Sequence, residues 1–577
     1  MSEYKLYGQV ARYILENKDN HKEEYRNIIR RFLNRATFGY SEDTVTQVEE
    51  SDFQKWLEDQ KYVDKTLISE KAHLFTELYC HHKDSKMKEK ICKTVDQASF
   101  DGLLWQAALE SPDQLRQRVA YAMSQIFVVS RQGINRGRPV LYRFLAGYHD
   151  MLVEHCLGSY RNLLSHVTLH PSMGEMLGLK SSSKANSNKG TFPDENYARE
   201  VMQLFSIGLV KLNMDGTVVT QEGVPEETYS QNDVEEMARA LTGWRGAAYT
   251  VKNWNYKPMG GKQNLHDTGS KTILGTEIPA GGSPRADLEA VLDILSSHPN
   301  TAPFISKALI KMLVQSNPRP RFVEDIANVF VATDGDLFEV VSAILRHDDA
   351  LLDIGPRYRK FGENDRFGKV KEPLICVTNA CRGLGVTYAA EQKRFAGINM
   401  AGIGQSFYGS PTVFNFFEPD FAPKGEVSDK NLIAPEAELH GVVSMKRYEN
   451  LCWKLVTLYE RNFRKNKSPG WDIKPFARKL KADEEGNWLA EPLLDFIEQR
   501  LFMGSMSFSL KNRLARHIKT AHSLEEKIGR NVVVKEVLYL SLISPEFQTF
   551  EHEIVNWDLW KKESKDLIGL VKTGGEA

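Results

Sequence analysis

Apolar residues follow the helical repeat in several parts of the chain. The clearest stripe consists of Leu115, Val119, Ala122, Ile126 and Val129. Its members recur at intervals of three or four residues, which places them on one face of a helix. The preceding segment, Ser111–Gln114, has the form of a capping box with proline in the first turn. These features predict a core-facing helix whose N-cap is Ser111.

Two further segments carry start and stop signals for helices. Ser230, with Asp233 three residues later, predicts a helix that closes at Thr242-Gly243. A third helix is expected to begin near Asn300 and to stop at Asn317-Pro318. Its apolar face is predicted to contain Ile305, Ala308, Leu309 and Met312.

Strand signals are few. Val210–Leu212 and Val218–Thr220 flank Asp215-Gly216, which predicts one short hairpin. Three segments rich in glycine, serine or proline, at 180–193, 246–284 and 406–432, are expected to be long loops. The predicted fold class is mainly α, a large multi-helix globular domain with long loops and at most a short β-hairpin.

Composition narrows the class of protein. The 577 residues include 75 Lys and Arg against 76 Asp and Glu, and 41% of the residues are hydrophobic. These values argue against a disordered chain, a collagen or a non-specific nucleic-acid binder. No run of about 18 apolar residues is present, so we expect no membrane insertion. The first residues lack the organisation of a secretory signal, and the expected location is therefore the cytoplasm.

The six cysteines are too few for a disulfide scaffold in a chain of this length. Cys80, His81, His82 and Cys92 offer zinc ligands, although their spacing matches no standard zinc finger. Cys376 and Cys381 are expected to be buried thiols.

A set of short segments, in a fixed order, is distinctive as a combination. It consists of Phe32–Gly39, Ser124–Ser130, Leu169–Gly174, Pro193–Glu200, Gln203–Gly208, Leu241–Trp244, His298–Ala302, Ser316–Pro318 and Ser410–Phe416. In this order the segments resemble the bacterial domain-of-unknown-function family 1800 (DUF 1800), over residues from about 31 to 439. The resemblance implies no particular reaction. Related proteins often carry secretion signals and accompany a sulfatase- or phosphatase-like partner, whereas this chain lacks a visible signal.

The predicted domain organisation follows the extent of this resemblance. Residues 1–20 form an N-terminal lead-in, residues 21–445 form the family-like helical core domain, and residues 446–577 form a C-terminal helical extension packed on that core.

The strongest candidate for chemistry is the helix start at Asp194. Asp194 suits the N-cap, and Glu195 lies in the first turn, where the helix dipole favours a negative charge. Glu200 and Gln203 extend a polar stripe beside apolar positions. A carboxylate there can serve as a metal ligand or as a general base with a raised pKa. The alternative is structural, with Asp194 as a cap and Glu195 paired with Arg199.

Histidines supply the second set of candidates. His266 and Asp267 lie in the glycine-rich loop at 246–284, and an imidazole beside a carboxylate can bind a metal or transfer a proton. His170 and His298 each precede a proline, which places them at helix boundaries. For these two residues a structural hydrogen bond is the favoured role.

Two classes of function follow from these candidates. The first is an enzyme with a transition metal (iron, manganese or zinc), for either hydrolysis or oxidation. Its predicted metal ligands are Glu195, Glu200, Gln203, His266, His170 and His298, and its predicted catalytic residues are Glu200, His266 and Asp267. A metal-free variant of the enzyme would use Glu200 and His266 as acid and base. The second class is a non-catalytic binding or assembly protein on a helical scaffold, with the long loops as its recognition surface.

One aromatic segment belongs to that surface or to the core. Phe414–Pro419 is predicted to pack a loop onto the core, with Asn415 as its buried amide. The substrate or protein partner is not specified by any motif, since the P-loop, the GxSxG elbow and the HExxH pattern are all absent.

Overall fold

The computed structural model describes residues 18–72, 100–134, 138–246, 257–351, 368–388, 398–465, 467, 469–523 and 529–550. The zinc ligands considered at Cys80, His81, His82 and Cys92 lie outside these ranges. The other four cysteines, Cys156, Cys376, Cys381 and Cys452, are free and buried. The prediction of buried thiols at Cys376 and Cys381 is confirmed.

Helices dominate the described residues, and the predicted fold class, mainly α, is confirmed. The longer helices of the N-terminal half are α1 (Lys22–Ala36), α2 (Glu42–Glu50), α3 (Phe53–Tyr62), α4 (Gln114–Ile126), α5 (Arg138–His155), α6 (Tyr160–Leu169), α7 (Pro171–Met176), α8 (Asn196–Gln203) and α9 (Gln231–Ala240). Those that follow are α10 (Pro284–Ser297), α11 (Thr301–Leu313), α12 (Pro320–Ala332), α13 (Leu337–Arg346), α14 (Asp348–Leu351), α15 (Pro373–Leu384), α16 (Glu426–Asp429), α17 (Val442–Lys454), α18 (Glu460–Arg464), α19 (Lys474–Ala477), α20 (Glu491–Leu501), α21 (Phe508–Ser523) and α22 (Arg530–Leu542).

Strands are short and pair only locally. The antiparallel pairs are β1 (Thr220–Gln221) with β2 (Val224–Pro225), β3 (Trp244–Arg245) with β4 (Gly260–Gly261), β5 (Lys271–Ile273) with β6 (Thr276–Ile278), and β7 (Lys481–Ala482) with β8 (Trp488–Leu489). The predicted hairpin is present, since Leu212 pairs with Val218 and Gly216 adopts the positive φ of 75° that its turn requires. The structure has more short ladders than the single hairpin that the sequence indicates. The β5–β6 ladder lies within the predicted loop at 246–284, and β4 in the same loop pairs with β3 just before it.

The predicted apolar stripe of α4 lies in the core. Leu115, Val119 and Ala122 are fully buried. The start of this helix differs from the prediction, because the N-cap is Asp113 rather than Ser111. The Ser111 hydroxyl instead donates to the carbonyl of Ala107, 2.6 Å away, in the helical stretch at 100–110. The Ser111 side chain therefore lies at the end of the preceding helix, at 100–110, and does not start α4.

The capping box at Ser230 is confirmed. The Ser230 hydroxyl accepts the Asp233 amide at 3.3 Å, and the Asp233 carboxylate accepts the Ser230 amide at 2.8 Å. These bonds satisfy two backbone donors that the first turn of α9 leaves without helical partners.

We expect Ser230→Ala to lower the free energy of unfolding by about 1 kcal/mol, as loss of an N-cap acceptor typically does. Urea unfolding followed by circular dichroism would measure the change. The matched control is Ser270→Ala, since Ser270 is an exposed loop residue. Equal midpoints for Ser230→Ala and the parent protein would contradict the capping role.

Residues near the two ends of the described chain share one core. A continuous cluster of buried apolar residues extends from Tyr25 to Phe550. The Tyr40 hydroxyl donates to the carbonyl of Gln499 at 2.7 Å and accepts the amide of Met503 at 2.9 Å. Helices after residue 445 thus contact the N-terminal helices directly, while the division of the chain at residues 20 and 445 stays a prediction.

No helix in the described part of the chain combines the length and the apolar character needed to cross a membrane.

Candidate functional site

The predicted polar stripe lies on α8, and its first members have structural partners. The Asp194 carboxylate accepts the amide of Asn196 at 2.9 Å, but the N-cap residue is Glu195, one position later than predicted. The Glu195 carboxylate accepts the Arg199 guanidinium at 3.2 Å and the Gln231 amide at 3.1 Å. Glu195 therefore forms the predicted pair with Arg199 at the surface.

Glu200 has a different environment. Its side chain is half-buried, and its Oε2 atom is buried without a hydrogen-bond partner among the described residues. Burial raises the pKa of the Glu200 carboxyl, and the nearby Arg199 opposes that rise. Gln203, one turn further along the same helix, lines a cavity described below.

His266 is fully buried, and both of its ring nitrogens have partners. Nδ1 lies 3.0 Å from the carbonyl oxygen of Thr242, and Nε2 lies 3.2 Å from the Asp287 carboxylate. The same carboxylate accepts the Lys271 ammonium at 2.7 Å. This arrangement connects the loop before β5 to α9 and α10, which makes His266 part of a buried structural network.

Asp267 forms a two-pronged ion pair with α9. Arg239 donates from Nε to one carboxylate oxygen at 3.0 Å and from Nη2 to the other at 3.1 Å. Burial alone raises the pKa of Asp267, but the Arg239 guanidinium outweighs it and the net change is downward. A carboxylate held in this way anchors its loop.

His170 is the N-cap of α7, and His298 lies two residues before the N-cap of α11. Nδ1 of the buried His170 accepts the amide of Ser172 at 3.1 Å, at the start of α7. Nδ1 of His298 accepts the amide of Asn300 at 3.1 Å, just before α11. Both contacts are the structural hydrogen bonds that the sequence favours.

These side chains do not form a metal-binding group in the structure. Within the described ranges no cluster of three or more His, Cys, Asp or Glu residues is arranged to hold a metal ion. No hydrogen bond or ion pair between described residues joins Glu200 to His266, whose partners are Thr242 and Asp287. No contact therefore supports the idea that the predicted ligands meet at one site, and that idea stays a prediction.

A cavity of about 470 Å³ lies instead beside α11. Its walls come from α11, the end of α4, the segment at 203–218 and the loop at 413–419. The lining is largely apolar and includes Ile126, Leu204, Phe304, Met312 and Phe417. Volume and lining both match the range typical of small-molecule sites.

Asn300 fixes one wall of this cavity, the segment that follows α8. Its side-chain oxygen accepts the amide of Leu212 at 2.6 Å. Its Nδ2 donates to the carbonyls of Ile207 at 2.6 Å and Val210 at 2.9 Å. Because Asn300 is the N-cap residue of α11, these three bonds hold the segment at a set distance from that helix.

A second wall is positioned by a pair of buried amides. Asn415, which is 8% exposed, donates from Nδ2 to the side-chain oxygen of Gln125 at 2.9 Å. The prediction that Asn415 is a buried amide is thus confirmed. Gln125 is 5% exposed, and its Nε2 has no hydrogen-bond partner among the described residues. Since a buried polar group without a partner is costly, this amide is available to a ligand.

Two lysines supply the charge in the cavity. Lys307 and Lys311 lie one turn apart on α11, and both line the cavity. Lys307 donates to the carbonyl of Gly216 at 2.8 Å, and Lys311 donates to that of Pro419 at 2.6 Å. Neither forms an ion pair with any described carboxylate. Burial lowers the pKa of both ammonium groups, that of Lys311 to about 8.

The carboxylate that lines the cavity already has a cationic partner. Glu436 lines the cavity but forms an ion pair with Lys369, and both side chains are buried. The second oxygen of Glu436 accepts the Ser316 hydroxyl at 3.3 Å. Among the residues that line the cavity, the charges of Lys307 and Lys311 therefore leave an excess of positive charge, which Asp215 and Asp420 partly offset from outside the lining.

The mouth of the cavity has exposed apolar side chains. Leu209 is 54% exposed, Phe414 is 49% exposed and Val218 is 43% exposed, and all three line the cavity. The predicted packing of the segment at 414–419 is correct for the buried Phe417, whereas Phe414 points to solvent at the opening.

The family model described as "Protein of unknown function (DUF1800)" matches residues 31–549. The chain belongs to this family. Comparison with curated proteins and with solved structures finds no match. In this DUF1800 protein the match extends past the segments recognised in the sequence, which end near residue 439, so it also includes α17 to α22.

No sequence motif assigned a functional role to Gln125, Lys307 or Lys311. The two lysines did carry a signal, since they are spaced i and i+4 within a helix that has no other charged residue. Like charges at that spacing are unfavourable in an isolated helix. Gln125 carried no comparable signal, because its partner Asn415 is 290 residues distant.

Proposed function

We propose that this DUF1800 protein binds a small molecule with an apolar body and an acidic head group in the cavity beside α11. The observation that carries this proposal is the presence of two lysine ammonium groups, without carboxylate partners among the described residues, in a largely apolar cavity. The proposal develops the hypothesis of a non-catalytic binding protein.

Charge complementarity supports an acidic ligand. An anion between Lys307 and Lys311 would offset their mutual repulsion and the cost of their burial. Each ammonium donates one hydrogen bond to a backbone carbonyl and retains donors for a ligand. The free Nε2 of Gln125 adds a neutral donor from another wall. Charge-assisted hydrogen bonds of this kind are short and strong.

Binding of octanoate, measured by isothermal titration calorimetry, tests the proposal. We expect octanoate to bind and the neutral octanamide to bind more weakly. Replacing Lys307 or Lys311 by methionine should raise the Kd for octanoate by roughly 10- to 100-fold, the equivalent of one hydrogen bond to a charged group. The matched control is Lys519→Met, at an exposed lysine outside the cavity.

A second variant tests the location of the ligand. Ala308 lies on α11 between the two lysines, is partly buried and lines the cavity. Ala308→Phe should occupy the apolar volume and abolish octanoate binding, while the helical circular dichroism stays unchanged. Octanoate binding of equal affinity in Ala308→Phe, or in both lysine variants, would contradict the proposal.

The metal-dependent enzyme is a second candidate, supported by Glu200. Its buried oxygen has no partner among the described residues, and a raised carboxyl pKa suits a general base or a metal ligand. Elemental analysis of protein purified without chelators tests this candidate. Stoichiometric iron, manganese or zinc that is lost in Glu200→Gln would support it, and equal metal content in the two proteins would remove Glu200 as a ligand.

A further inference from the structure

Lys311 differs from the other buried lysines of its region. Lys369 is neutralised by Glu436. Lys371 is buried away from the cavity, where it donates to the carbonyl of Phe547 at 2.8 Å. Lys311 lines the cavity, and its ammonium donates to the backbone carbonyl of Pro419. It therefore combines access to a ligand with the lack of an ion-pair partner in the described part of the chain.

The surroundings of Lys311 favour its neutral amine. Burial is the main cause that lowers its pKa to about 8, and the charges of Lys307 and Lys369 act in the same direction. Glu436 and Asp420 oppose the change. At pH 7.5 the neutral fraction of such an amine is about a hundredfold higher than that of an ordinary lysine. Neutral lysine amines in apolar pockets are effective nucleophiles toward carbonyl carbons.

We propose that Lys311 forms a covalent imine with the ketone carbon of an oxo acid that has an apolar tail. This inference rests on the proposed function and specifies the class of its ligand. The placement is given by the cavity, where Lys307 lies one turn away on α11 and Gln125 lies at the end of α4. These two residues bind the carboxylate, the apolar walls take the tail, and Lys311 lies beside the ketone.

The reaction requires no partner beyond the ligand. The lone pair of Lys311 Nζ forms a C–N bond to the carbonyl carbon, and the C=O π electrons move to the oxygen, which takes a proton. The neighbouring Lys307 ammonium is a suitable donor of that proton. The nitrogen then gives one proton back to Lys307, which passes it to the new hydroxyl so that water leaves and a C=N bond forms. The remaining proton on the nitrogen returns to Lys307, which ends the reaction in its original ammonium form. The balance is amine plus ketone to imine plus water, without oxidation or reduction.

The apolar lining also protects the product. Water drives an imine back to amine and ketone, and a site whose walls are largely apolar limits access of water to the C=N bond. An exposed lysine offers no such protection.

Trapping with borohydride tests the inference. The full chain is incubated with 2-oxooctanoate and sodium borohydride, which reduces an imine to a stable secondary amine. We expect one adduct, with the mass of the oxo acid less one oxygen atom, and peptide mapping should place it on Lys311. Labelling should rise with pH and reach half of its maximum near pH 8, in line with the lowered pKa of Lys311.

Lys311→Arg is the matched control, because it retains the positive charge and lacks the nucleophilic amine. It should lose the adduct, while octanoate binding is measured separately on the parent protein. Adducts spread over exposed lysines, or equal labelling in Lys311→Arg, would overturn the imine. If octanoate binds the parent protein and no adduct forms at Lys311, the imine fails and the binding function stands. If octanoate does not bind, the binding function itself fails.

Discussion

Asp287→Ala is expected to lower the free energy of unfolding by about 3–5 kcal/mol, the range for breaking a buried ion pair from one side. Asp287 is 1% exposed and accepts the ammonium of Lys271, whose side chain is fully buried. Removal of the carboxylate leaves that ammonium with only the carbonyls of Asp267, at 2.6 Å, and Gly269, at 2.8 Å. His266 loses its partner at Nε2 in the same step.

The ionisation of Asp287 agrees with this role. Burial alone raises the pKa of its carboxyl, but the hydrogen bonds from His266 and Lys271 outweigh burial and the net change is downward. The folded state therefore favours the ionised carboxylate, and the stability it adds is lost as the pH falls through the lowered pKa.

Urea unfolding of three variants would check the prediction. In Lys271→Met/Asp287→Asn the buried charge is removed together with its partner, and the asparagine oxygen still accepts from His266. We expect this double variant to recover most of the stability that Asp287→Ala loses, because a buried pair replaced on both sides is often near neutral. A loss in the double variant as large as in Asp287→Ala and Lys271→Met combined would refute the coupling.

The His266–Asp287 network shows why the site was harder to predict than the fold. The sequence placed titratable residues in a glycine-rich loop, and the structure confirms that His266 and Asp267 lie there with charged neighbours. Their roles depend on Arg239 and Asp287, which are 28 and 21 residues away from their respective partners. A local pattern contains no information about such pairings, so it could not separate a buried ion network from a catalytic pair.

The helices were predictable because their signals are local. The period of the apolar positions placed α4, α9 and α11 correctly, and the capping box at Ser230 is present as expected. The error at Ser111 has a physical reason. A serine hydroxyl can bond backward to a carbonyl four residues earlier as well as forward to an amide, and the sequence alone does not choose between the two.

The cavity was not predictable as a unit, since five separate segments of the chain, including Pro435-Glu436, contribute to its walls. Ala308 and Met312 were assigned to the core face of α11, and both line the cavity beside the two lysines. Only the folded structure shows that this face has two parts. Ile305 and Leu309 are buried in the core, whereas Ala308 and Met312 line the cavity.

Acid is expected to destabilise the protein through its buried histidines. Burial lowers the pKa of His149 to about 4 and that of His170 to about 3. The unfolded chain binds these protons near pH 6.5 and the folded chain does not. The contribution of the two neutral histidines to the free energy of unfolding is therefore fully present above pH 6.5 and is lost as the pH falls below it. Asp150 acts in the opposite direction, because burial raises its pKa to about 6 and the folded chain takes up its proton first. For these three groups taken alone, the net loss is about 1.4 kcal/mol per pH unit between pH 6 and pH 4.

His170→Asn isolates one of these protons. Asparagine is a good N-cap, so it can accept the Ser172 amide that Nδ1 of His170 accepts now. The variant loses stability at neutral pH because it leaves space in the core, but that loss does not depend on pH. Its slope between pH 6 and pH 4 should be smaller than that of the parent by about 1.4 kcal/mol per pH unit, the value for one proton. Urea unfolding at pH 6, 5 and 4 measures both slopes. Parallel curves for the two proteins would mean that His170 is protonated as readily in the folded state as in the unfolded state. That result would contradict the structure, in which Nδ1 is buried and accepts the Ser172 amide.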